Sequence, residues 1–110
     1  MTNVTLFWGK KGLVGLESRG HADNDSRKGE DVVCAAISTL VQALLVGLRD
    51  VAKVSEAECE RDSSVPLICV RWPEEKAPEL DLLTRSVALS LKEVASGYAG
   101  YVSITEVWVS

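Results

Sequence analysis

The segment that most restricts what this chain can become is Val32 to Leu48, VVCAAISTLVQALLVGL, which carries no charged side chain. Its length is about the minimum for a membrane span. Ser38, Thr39 and Gln42 interrupt it, however, while Ile37, Leu40, Val41, Leu44, Leu45 and Leu48 recur at the spacing of one helix face. The run therefore reads as a helix buried in protein, with no membrane as partner. Val32, Val33, Ala35, Ala36, Ala43 and Val46 widen the apolar surface beyond one stripe, so the helix needs cover on two sides. A sheet supplies one side, and a second helix or a partner subunit the other; a homodimer is the expectation.

Around this helix the patterning changes to that of strands. Val4, Leu6 and Trp8 alternate with Asn3, Thr5 and Phe7, and Lys10-Lys11-Gly12 turns the chain into a second alternating run that ends near Gly20-His21. The polar stretch ADNDSRKGED follows as a loop. Asp31 is a good N-cap for the apolar helix, which should run to about Ala52. Ser55 to Arg61 and Val65 to Trp72 make a second hairpin, with Glu56, Glu58 and Glu60 on one face and Ala57 and Cys59 on the other. Leu80, Leu83, Val87, Leu91 and Val94 mark a second helix closed by Gly97, and Tyr101 to Val109 is the last strand. The order ββαββαβ predicts an α+β fold with one mixed or mainly antiparallel sheet and two helices. At 110 residues, all of it fits one domain, residues 1–110.

The net charge of −4 argues against a protein that holds nucleic acid by neutralising phosphates, and suits a cationic protein partner better. Cys34, Cys59 and Cys69 are odd in number and lack metal-type spacing, and His21 is the only histidine. Neither a disulfide framework, nor a metal site, nor a cofactor is expected. The opening MTNVTLFWGK shows no secretory pattern, so the expected location is the cytoplasm, with reduced thiols.

Chemistry concentrates between Gly20 and Ser38. With Asp31 as cap, Cys34 would be the third helical residue, where helix-end amides and the macrodipole favour a thiolate. His21, across the loop, could return to the same helix end as the base that activates it. Asp31 is either the cap or a carboxylate orienting His21. Ser38, one turn after Cys34, shares its face and either serves the same pocket or bonds back to the preceding turn. Each residue also has a plain structural reading: a free cysteine packs well as a small hydrophobe, and a lone histidine beside a loop is commonly a surface group. Cys59 and Cys69, among apolar strand residues, read as core. The residues alone leave both readings standing.

Gly20-His21-Ala22 followed by Gly29-Glu30-Asp31-Val32-Val33-Cys34-Ala35-Ala36-Ile37-Ser38 resembles the signature of the ribosomal-processing cysteine protease (Prp) family, with Val32 at a position usually isoleucine. Chain length and element order resemble the family as well. The resemblance implies a dimeric α+β fold, His21 and Cys34 as catalytic pair, and Asp31 and Ser38 as possible supporting residues. It also implies endoproteolysis that removes the N-terminal extension of large-subunit ribosomal protein twenty-seven, without a cofactor. The basic N-terminal peptide of that precursor would be the partner. A non-catalytic ribosome-associated binding module and a thiol redox sensor are the competing readings.

Overall fold

The computed structural model describes residues 1–20, 28–62 and 67–109, with the backbone alone at Lys28 to Asp31. His21, on which one half of the expected catalytic pair rests, lies outside the described residues. Strand β1 (Thr2–Gly9) and strand β2 (Gly12–Arg19) form the expected hairpin across Lys10-Lys11. Leu6 pairs with Leu16, and the register shifts between Phe7 and Trp8. Helix α1 (Lys28–Val46) runs on into one π-helical turn, Gly47–Val51. Strands β3 (Glu58–Asp62) and β4 (Leu67–Arg71) pair antiparallel; a 3-10 turn at Glu74–Lys76 leads into helix α2 (Ala77–Gly97), and strand β5 (Val102–Trp108) closes the order.

The five strands lie in the order β3-β4-β2-β1-β5, with β5 parallel to β1 and the remaining neighbours antiparallel. This is the mixed sheet that the ββαββαβ pattern predicts, and its strand order is new information. Period-two alternation turns Val4, Leu6 and Trp8 of β1, Leu16 of β2, Val70 of β4 and Val102 of β5 toward one face, and the register shift, which leaves Val14 without a partner on β1, brings Leu13 onto that face as well. There they share a core with Val33, Ile37, Val41, Leu44 and Leu48 of the first helical segment and Leu80, Val87 and Leu91 of α2. Gly47 lets the two helices close: a Cβ there would stand 2.7 Å from Cδ2 of Leu83. The Trp72 indole N–H donates to the Leu13 carbonyl at 2.7 Å, so its buried polar edge is satisfied.

Val32–Val51 is long and apolar enough to cross a membrane by length and composition. Its Ile37, Val41, Leu44 and Leu48 are nonetheless almost wholly enclosed by the sheet and α2. The opposite side of the helix, at Val32, Ala35, Ala43 and Val46, faces outward.

Two boundaries differ from expectation. Asp31 is not the N-cap of α1, because the helix begins at Lys28 and Asp31 is its fourth residue. The apolar run marks where the helix is buried, and Lys28 and Glu30 extend it a turn earlier because both propagate helix well. An acidic residue in the first turn suits the positive end of the helix as well as a cap does. The third strand begins at Glu58 instead of Ser55. The preceding residues are used to turn the chain, with Lys53 in the left-handed region at φ 58° and the Ala57 N–H bonded to the Val54 carbonyl.

Candidate active site

The site begins where β2 runs out. Gly20 follows the strand with φ +115°, a conformation that side chains rarely tolerate, and a Cβ would collide with the carbonyl oxygen of Met1. Glycine is thus required there, directly before His21 in sequence, for the start of β1 and the end of β2 to pass so closely. Thr2, the first residue of β1, is 3% exposed and faces inward in phase with Val4 and Leu6. Its N–H donates to the Tyr101 carbonyl at 2.9 Å, and its Oγ1 lies 3.1 Å from Sγ of Cys34.

Cys34 is half-buried, its neighbour Val33 is sealed in the core, and Val32 is exposed. Counting from Lys28 it is the seventh residue of α1, not the third. The correction has a chemical consequence, since the unpaired amides and the macrodipole act within the first turn. They contribute less at Cys34 than the later helix start would have given.

Ser38, one turn on, is exposed and lines a cleft of about 280 Å³ with Ser18, Gly20, Arg61, Asp62, Leu67 and Ile68. The floor is apolar through Leu67 and Ile68, while Arg61 and Asp62 bring one charge of each sign. The structure therefore gathers the end of β2, the beginning of β1 and the Cys34 to Ser38 turn of α1 at one end of the domain. Asp31 lies three residues before Cys34 on the same helix, its side chain outside the description.

The remaining thiols have different surroundings. Cys69 is 5% exposed on the sheet, and burial pushes its thiol up, with Arg71 opposing. Cys59 is partly buried against the core. Thr2 is the contact that the sequence reading missed. The signal was present in the alternation of β1, which extends back from Val4 to put a hydroxyl at an inward position.

Fold and site together define a class: a small α+β protein with one mixed sheet, whose half-buried thiol stands in the second turn of a core helix near a cleft. The family model for the cysteine protease Prp matches residues 1–103, and the chain belongs to that family of cysteine proteases. Among solved structures, SMU.848 from Streptococcus mutans is similar at a TM-score of 0.86 and 23% identity, covering 99% of this chain and 96% of that one. The essential ribosomal processing protease Prp from S. aureus, in complex with a substrate peptide, is similar at a TM-score of 0.82 and 19% identity, covering 97% and 100%. The same S. aureus protease with a covalently linked product peptide gives a TM-score of 0.78 and 20% identity, again covering 97% and 100%. At these identities the likeness concerns the fold. No curated protein sequence matches the chain.

Proposed function

We propose that this protein is an endopeptidase in which Cys34 is the nucleophile and His21 the acid and base. Its proposed substrate is the N-terminal extension of large-subunit ribosomal protein twenty-seven. The observation that carries the reading is the placement of a half-buried Cys34 against Thr2, one turn from the cleft-lining Ser38, while Gly20, the residue before His21, lines the same cleft. The substrate and product peptides held by the S. aureus protease support a peptide ligand for this fold.

In the proposed reaction Cys34 thiolate attacks the scissile carbonyl, and His21 gives its proton to the leaving amine as the C–N bond breaks. Water then releases the thioester, its proton passing to His21. We assign the oxyanion to first-turn N–H groups of α1, the helix that carries Cys34, since the first N–H groups of a helix have no partner within it. Ser38 and Asp31 are proposed as supporting residues. The net charge of −4 favours a basic peptide over nucleic acid as partner. We place the protein in the cytoplasm as a homodimer joined through the outward faces of its two helices.

The test is mass spectrometry of the ribosomal protein, with its extension, after incubation with wild-type, Cys34→Ser and His21→Ala protein. Wild type should shorten it, Cys34→Ser should leave it intact, and His21→Ala should be slower by about 10² or more. A tail bound but never shortened would replace the enzyme by an adaptor. Reversible oxidation of Cys34 coupled to binding, without cleavage, would replace it by a redox sensor.

A further inference from the structure

The contact between Thr2 and Cys34 has more to it than packing. Thr2 occupies an inward strand position that Val4 and Leu6 fill with hydrocarbon, and valine would take the same volume there without burying a hydroxyl. A buried hydroxyl needs a partner, and here that partner is Sγ of Cys34 at 3.1 Å. Three restraints fix Thr2 in place. The Thr2 N–H is tied to the Tyr101 carbonyl at 2.9 Å, Thr2 pairs with Val102 of β5, and Gly20 packs against the Thr2 Cα. Threonine is also stiff about its first side-chain torsion.

We propose that Thr2 is the positioning residue for the Cys34 sulfur, a role that rests on Cys34 being the nucleophile. While sulfur carries its proton, either atom can donate. Once the proton leaves, sulfur is an acceptor only, so the Thr2 hydroxyl must donate, and the bond becomes charge-assisted. The same contact is therefore stronger with the thiolate than with the thiol, and it holds the sulfur in one orientation for attack. Because Cys34 is the seventh residue of α1, the helix end does less for it, and a side-chain donor supplies part of what the later helix start would have given.

Among the described side chains, Arg61 and Asp62 bring charge to the cleft; in sequence, Lys28, Glu30 and Asp31 precede Cys34 and His21 follows Gly20. Arg19 pairs with Glu17 at 3.3 Å, one residue out of phase with the inward positions of β2. All of them are unchanged in Thr2→Val, so the variant isolates the hydroxyl.

The experiment follows alkylation of Cys34 by iodoacetamide against pH, with peptide mapping to separate it from Cys59 and Cys69. Thr2→Val should react roughly tenfold more slowly at neutral pH, the scale of one hydrogen bond to a charged group. Thr2→Ser should restore the wild-type profile. Superimposable Thr2→Val and wild-type profiles would overturn the proposal, as would failure of Thr2→Ser to restore them. In the unmodified protein the Thr2 methyl carbon resonance should titrate with the Cys34 alkylation midpoint and stop titrating in Cys34→Ser. A methyl that ignores the sulfur would overturn the proposal even were Thr2→Val not to fold. Peptide cleavage should show a lower kcat with KM little changed. Alkylation effects without any wild-type cleavage would remove the protease reading alone, and cleavage without alkylation effects would remove the Thr2 assignment alone.

Discussion

Gly20 shows how a single residue governs the neighbourhood of Cys34. Its φ of +115° strains any other residue, and its hydrogen-only side leaves room for the Met1 carbonyl oxygen. Gly20→Ala must therefore either twist the end of β2 or push Met1 and Thr2 aside. Backbone strain of this kind costs about 1–3 kcal/mol, with the clash added to it. We expect a lower midpoint in urea unfolding and slower alkylation of Cys34, because the displaced Thr2 loses its hold on the sulfur. Gly97 is the internal control: nothing lies within 4 Å of a Cβ there, at the end of α2. Gly97→Ala should be neutral, or stabilising by up to about 1 kcal/mol, and should leave alkylation unchanged. The glycine of the Gly20-His21-Ala22 segment was legible as a marker in the sequence. Its reason was not, because it lies in the approach of Met1, and a close contact with another strand leaves no trace in local pattern.

At the scale of elements, α2 and β5 are joined through Glu106. Its Oε1 accepts from Lys92 Nζ at 2.9 Å and from the Trp8 indole N–H at 3.2 Å, so one carboxylate oxygen links α2, β5 and β1. The hydrogen bond from Lys92 is the largest influence and holds the carboxyl below its ordinary 4.5, partly opposed by burial. A carboxyl depressed in the folded state contributes its stability above the unfolded value and loses it as pH falls through the folded one. Glu106→Gln should thus be less stable than wild type at neutral pH, by about 0.5–1 kcal/mol for a pair this exposed. The gap should close on acidification below about pH 4.5. Urea unfolding at stepped pH measures this, and a gap that stays constant with pH would contradict it. Elements of this kind were readable where periodicity was long, as in α2 with Leu80, Val87 and Leu91 buried as expected. Their ends were less so. Asp31 looked like a cap because it borders the apolar run, yet helix ends follow backbone propensity and burial follows side chains, and at α1 the two differ by a turn.

The whole molecule leaves one surface unexplained by its own core. A ββαββαβ order fixes how many strands there are but not their neighbours, since the β1–β5 pairing joins residues about a hundred positions apart and no local pattern encodes it. What the sequence did carry was the excess of apolar surface on the first helix. That excess is still outward: Val32 is 64% and Val46 51% exposed, and α2 adds Leu82 at 85% and Leu89 at 54%. Both helices lie on one side of the sheet, and they meet where Gly47 receives Leu83. Val46 and Leu82 are the sequence neighbours of that crossing. A self-complementary pairing of this layer would cover apolar side chains that the sheet cannot reach, as isologous dimers do, and stable interfaces need upwards of about 1,200 Å² in all. Light scattering at micromolar concentration should give twice the chain mass for wild type. Val46→Glu combined with Leu82→Glu should give the monomer with the fold intact by circular dichroism, because both side chains are exposed in the single chain. Val32 lies on this layer two residues before Cys34, so the pairing would extend to the mouth of the proposed active site. Cleavage by the monomeric variant should then fall even though neither residue of the proposed catalytic pair has been touched. A wild-type protein that scatters as a monomer would remove the dimer, and a fully active double variant would separate it from catalysis.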